Sequence, residues 1–235
     1  MNAAIAPVQP VRSPKAARLR SVDLTGPVGR LEAIVNEGGQ DAPFAAVVCH
    51  PHPLGGGTLH NKVVYHAMKA LNDPAWGLGW PVLRFNFRGV GLSQGAHDGE
   101  AEAEDVEAAL TWLENEYKRP LVAVGFSFGA AMVLRACCGA RKTKANVQAL
   151  VALGLPTHAE GRDYTYPFLS GCTLPKLFLS GDRDQFAPDT KLARVAVSAA
   201  EPKRLVLLPC ADHFFRDQLK PMQQALAGWL KEQLP

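Results

Sequence analysis

A serine becomes a useful nucleophile when its hydroxyl is held out from the chain and a base stands ready to take its proton. Ser127 sits in "GFSFG", residues 125–129, a G-x-S-x-G spacing between the apolar "PLVAV" and the helical pattern "SFGAAMVLRACCG". A serine on such a strand-to-helix turn adopts a strained backbone and turns its Oγ outward, and flanking glycines let strand and helix approach closely. The next amide, of Phe128, lies at a helix N-terminus, where it can hold a developing oxyanion. The plainer alternative is a glycine-rich turn in which Ser127 caps a helix. A candidate base, His213, lies in "LLPCADHFF", and "LSGDRDQFAP" offers Asp182 and Asp184 to orient it. Serine, acid and histidine in that chain order, each just past an apolar run, form a far more specific pattern than any one of them.

A second stretch, "CHPHPLGGGTLHNK" at residues 49–62, holds three histidines and three consecutive glycines. Metal binding is disfavoured, because Pro51 and Pro53 constrain the chain and no carboxylate lies nearby in sequence. His60 and Asn61 suit a helix cap better than a ligand pair. Phosphate binding is disfavoured too: the loop lacks the Gly-Lys-Ser/Thr ending of a phosphate-cradling loop, and G-x-G-x-x-G is absent. Arg84 and Arg88 read as loop-holding cations rather than an anion site. No metal or other cofactor is therefore expected.

These residues need elements to carry them. "LRSVDL" and "GRLEAIVNE" read as paired strands around "TGPVG". Apolar strands then alternate with helical segments. "FAAVVCH", "WPVLRFNF", "PLVAVGF", "VQALVALGL", "PKLFLSG" and "KRLVLLP" are the strands. "NKVVYHAMKALN", "EAEDVEAALTWLENEY", "SFGAAMVLRACCG", "PDTKLARVAVSAA" and "QQALAGWLKEQL" are the helices, with Pro188 near a first helical position. Such alternation implies a mostly parallel sheet covered on both faces, with chemistry just beyond the carboxyl ends of the strands.

At 235 residues the chain suits one α/β domain, and 47% hydrophobic residues exclude whole-chain disorder. A formal charge of +3 gives no argument for nucleic acid. The acidic run "HDGEAEAEDVEAALTWLENE" reads as a solvated helix face with negative residues first, where the helix dipole favours them. The five cysteines are odd in number and contain no C-x-x-C, so buried free thiols in a reducing compartment are expected. No apolar run reaches membrane-spanning length. Residues 1–18 read as a flexible leader without a secretory signal, and an organelle transit peptide is the alternative. Residues 19–235 are then a single domain.

From about residue 22 onward the chain resembles the α/β-hydrolase family, through "HPHPLGGG", "RGVGLSQG", "GFSFG", "GDRDQFAP" and "DHFF". The resemblance implies eight mostly parallel strands and a Ser/His/acid triad. The family's acid motif G-x-x-D-x-x-x-P matches Gly181, Asp184 and Pro188, which selects Asp184 and leaves Asp182 to cap the turn. Many members carry HG-x in the oxyanion loop, and here Pro51 stands in place of that glycine. The second oxyanion donor is then expected to be the backbone N–H of His52, with its imidazole incidental. Pro53 has no N–H, so Leu54 is the fallback.

The segment between Pro156 and Pro175 occupies the usual lid position and is too short for a helical cap. An open site walled by Tyr164, Tyr166 and Phe168 is expected. "HP…GG…HNKVV" and "RFNFRGVG" look like small bacterial cytoplasmic hydrolases with little or no lid, which places this chain in the cytoplasm, away from membranes. The reading is a serine hydrolase of small carboxylic esters or thioesters. An amidase, peptidase or perhydrolase on the same triad, and a catalytically silent binding scaffold, are the alternatives, since fold and triad serve many substrates. An open pocket beside exposed aromatics invites a homodimer.

Overall fold

A computed structural model describes residues 19–159 and 162–234; the leader expected over residues 1–18 lies outside them. The chain opens with two strands, β1 (Leu19–Gly26) and β2 (Gly29–Asn36), paired antiparallel. There follow β3 (Ala45–Cys49), α1 (Lys62–Asn72), β4 (Val82–Phe85), α2 (Glu102–Tyr117), β5 (Leu121–Phe126) and α3 (Phe128–Cys138). Next come β6 (Val147–Leu153), the two-residue strands β7 (His158–Ala159) and β8 (Arg162–Asp163), β9 (Lys176–Gly181), α4 (Asp189–Ser198), β10 (Lys203–Leu208) and α5 (Leu219–Gln233). The main sheet has eight strands in the order β1-β2-β4-β3-β5-β6-β9-β10. Pairing is parallel from β4 to β10, and β2 joins β4 antiparallel. The expected mostly parallel eight-stranded sheet is present, with helices on both faces.

Successive side chains of a strand point to opposite faces, so a strand covered on both sides reads as a continuous apolar run. β3 obeys this: Ala45, Val47 and Cys49 enter the core beneath α2, α3 and α4, while Ala46 and Val48 enter the core beneath α1 and α5. The antiparallel edge differs. In β1, Val22 and Leu24 are buried and Asp23 is exposed, as suits a strand with one covered face. α1 begins where expected: Asn61 caps it, its Oδ1 accepting from the amides of Val63 and Val64.

Two expectations are corrected. α2 is not solely a solvated acidic face, because Glu102 and Asp105 are fully buried. Asp105 takes a bidentate contact from Arg88 (Nη2–Oδ1 2.8 Å) and also accepts the Arg88 amide. Burial pushes the Asp105 carboxyl up, and the Arg88 guanidinium opposes that shift. The five cysteines are not all free thiols either. Cys138, at the end of α3, is disulfide-bonded to Cys172; Cys49 and Cys137 are buried free thiols, and Cys210 is an exposed one. Between Pro156 and Pro175 the chain forms the β7–β8 hairpin and one 3-10 turn over Pro167–Gly171, with no helical cap among the described residues. No helix of the described residues is long and apolar enough to cross a membrane.

Candidate active site

The carboxyl ends of β3, β5, β6, β9 and β10 lie side by side in register, with Cys49 opposite Gly125, Phe126 opposite Leu153, and Gly181 opposite Leu208. Ser127 follows β5 directly, with φ of 55° and ψ of −119°. A left-handed φ on a serine costs about 1–3 kcal/mol and survives only where its surroundings over-determine it. Here the Ser127 amide donates to the Leu153 carbonyl at 2.8 Å, and the Ser127 carbonyl accepts from Ala130 at 2.9 Å, the first bond of α3. The two motif glycines make the turn sterically feasible. A Cβ on Gly125 would stand 2.2 Å from the Gly129 carbonyl oxygen, and one on Gly129 would stand 2.5 Å from the carbonyl oxygens of Cys49 and His50. The "HPHP" loop thus rests directly on the first turn of the serine's helix.

His213 lies in the loop after β10 and is buried. Its Nε2 is 3.0 Å from Ser127 Oγ, and its Nδ1 is 2.9 Å from each carboxylate oxygen of Asp184. A carboxylate accepts and cannot donate, so Nδ1 carries the proton and Nε2 presents a lone pair to the serine hydroxyl. Asp184 is held in turn. Its Oδ2 accepts from Ser180 Oγ at 2.9 Å, and its Oδ1 from the amides of Phe186 (2.9 Å) and Ala187 (3.1 Å). Four donors on one buried carboxyl fix its orientation. Asp182 is exposed, and its amide donates to the Leu208 carbonyl.

The histidine stretch divides its labour. His50 is fully buried; its Nδ1–H donates to the Pro51 carbonyl at 2.7 Å and its Nε2 accepts the Phe87 amide at 3.0 Å. Burial pushes its pKa down to about 4, so it is a neutral brace between two strand ends. His52 caps a short turn over Pro53–Gly55, and its Nδ1 accepts from the Leu54 amide at 3.2 Å. That engages the fallback donor, Leu54, whose side chain is 80% exposed. The His52 imidazole packs among other rings, 5.1 Å from the Phe128 ring and 4.9 Å from that of His97. His60 is exposed. Among the described residues no group of three or more His, Cys, Asp or Glu side chains is arranged to hold a metal ion.

The three expected wall aromatics occupy different settings. Tyr166 is buried in the core, and its hydroxyl donates to the Pro156 carbonyl at 2.6 Å. Phe168 is half-buried and packs against Tyr166 at 6.1 Å. Tyr164 alone is exposed, at 37%. Sequence reasoning passed over the rings that do surround His213. Phe186, Phe126 and Phe214 have centroids 4.7, 5.0 and 5.2 Å from that of His213. Their signal was adjacency: Phe186 is two residues past Asp184, Phe126 immediately precedes Ser127, and Phe214 immediately follows His213.

The chain is similar in sequence and fold to known proteins. The sequence model of a family described as "Alpha/beta hydrolase domain" matches residues 47–230. An uncharacterized protein of Rickettsia prowazekii is 35% identical over 213 residues, covering 87% of this chain and 86% of its own length. A solved structure described as an alpha-beta serine hydrolase homologue, from Coxiella burnetii, is 34% identical with a TM-score of 0.77, covering 90% of this chain and 97% of its own. Another, from Xanthomonas campestris and described as an a/b serine hydrolase without lid, is 32% identical with a TM-score of 0.79, covering 98% of this chain and 99% of its own. The family pattern takes in most of the chain, from within β3 to within α5, and so the chain belongs to the alpha/beta hydrolase family.

Proposed function

We propose that the protein is a serine hydrolase of small carboxylic esters or thioesters, working through an acyl-enzyme on Ser127. The observation that carries this reading is the unbroken hydrogen-bonded run from Ser127 Oγ through His213 to Asp184 at 3.0 and 2.9 Å. Ser127 Oγ attacks the carbonyl carbon while His213 Nε2 takes its proton. The tetrahedral oxyanion accepts from the backbone N–H groups of Phe128 and His52. The intermediate collapses, and the departing alcohol or thiol takes the proton back from His213. Water then attacks the acyl carbonyl with His213 again as base, releasing the carboxylic acid and restoring Ser127. Asp184 orients His213 and stabilises the imidazolium. The route needs no cofactor. Solved relatives described as serine hydrolases support the class of chemistry. The absence of a helical cap among the described residues favours small substrates, with Tyr164 the most accessible of the three expected aromatics.

A fluorophosphonate probe tests the nucleophile: wild type is labelled and Ser127→Ala is not. Equal labelling of both, or none of wild type, removes the assignment. The acid is tested on a p-nitrophenyl ester, where Asp184→Asn is expected to lower kcat by about 10³–10⁴ in line with loss of the correct tautomer. Asp182→Asn should change it little, and a larger loss at Asp182 would reverse the choice.

A further inference from the structure

We propose that His97 is a positioning residue for the oxyanion hole, fixing by ring packing the separation of the His52 and Phe128 amides; this rests on the serine-hydrolase reading above. The two donors come from different elements, a short turn after β3 and the first residue of α3. A hole built from two elements works only if their spacing is held, because preorganised donors stabilise charge only at the place where it develops.

Three rings meet there. His52 and Phe128 are 5.1 Å apart, His97 and His52 4.9 Å, and His97 and Phe128 5.5 Å, all edge to face. Each ring touches the other two, so neither donor residue can shift without displacing His97. Phe128 has a fixed backing, since Phe87 lies 5.5 Å away on the sheet side and is fully buried.

His97 is itself anchored. Its Nδ1–H donates to Glu102 Oε1 at 2.7 Å. Glu102 is fully buried at the N-terminus of α2, and it also accepts the amides of Asp98 at 2.8 Å and Gly99 at 2.9 Å. Anchoring by a carboxylate at a helix N-terminus fixes the tautomer and the ring plane, as a supporting residue behind a site must. The His97 side chain is 16% exposed, which fits a wedge rather than a surface group. Nothing in the triad chemistry uses the Glu102–His97 pair, yet it reaches both proposed donors.

Two substitutions separate ring packing from every other role. His97→Gln keeps an N–H for Glu102 and loses the ring; His97→Phe keeps the ring and loses the N–H. Both are compared with wild type on p-nitrophenyl acetate, with melting temperature and fluorophosphonate labelling alongside. The expected result is a fall in kcat of about tenfold to a hundredfold for His97→Gln, with KM within about twofold, since a misplaced donor costs transition-state binding only. His97→Phe should recover most of that kcat. Wild-type kcat in His97→Gln, a change confined to KM, or no recovery in His97→Phe would each overturn the proposal while labelled wild type leaves the hydrolase reading standing. Wild type that takes no label overturns both.

Discussion

His50 and His52 stand two residues apart and have opposite fates, decided by which way each side chain faces. His50 turns into the core, where it braces the Pro51 carbonyl and the Phe87 amide in its neutral form. This has a pH consequence. Its folded pKa is about 4, below an ordinary histidine value of about 6.5. Above pH 6.5 it is neutral in both states and its contribution is complete. As pH falls through that value the unfolded chain takes up a proton that the folded chain refuses, so stability is lost down to about pH 4. The loss amounts to about 2 kcal/mol by about pH 5. Urea unfolding of wild type and His50→Gln at about pH 7.5 and pH 5 checks it: the variant should lose less stability on acidification. An equal loss in both would mean that His50 is not the buried neutral group described.

At the scale of elements, three contacts carry what no single element contains. The β5–α3 turn is braced by the β3 loop, because Gly129 lies flat against the carbonyls of Cys49 and His50. α2 is drawn in by Glu102 and Asp105 rather than floating on its acidic face. α3 is tied at its far end by Cys138–Cys172, across 34 residues. Closing a loop of that size stabilises by roughly 3–4 kcal/mol in the chain-entropy account. Thiol titration of protein unfolded without reductant should therefore find three reactive cysteines, not five. Cys172→Ser should lower the urea midpoint of the non-reduced protein. Five titratable thiols would show that the bond does not form.

At the scale of the whole molecule, an eight-stranded sheet brings three side chains separated by up to 86 residues to one edge, and among the described residues no helical cap covers that edge. An uncapped site has no lid to open at an interface. Hydrolysis should rise smoothly with substrate concentration through the micelle point and fall as the acyl chain lengthens; a sharp jump above that point would count against an open site.

The alternation of apolar runs with helical periods determined the sheet, its two covered faces and the strand ends at which chemistry must lie. Those signals are local, set by the period of the backbone and by burial of whole strands, so they survive in one dimension. Ser127 and His213 stood out because each lies shortly past an apolar strand, whereas the choice of Asp184 over Asp182 came from the resemblance to the family's acid motif. The tertiary structure alone decided the rest. Glu102 and Asp105 lie in a run that looks wholly solvated, and it is the approach of His97, Arg88 and the amides of Asp98 and Gly99 that supplies the partners making burial of the two carboxylates tolerable. The Cys138–Cys172 pairing has no spacing signal, since it depends on where the turn after β8 meets the end of α3. The rings of His52, His97 and Phe128 come from three separate loops and helices and acquire meaning only where those meet. Contacts of this kind depend on relative placement in space, which periodicity along the chain does not encode.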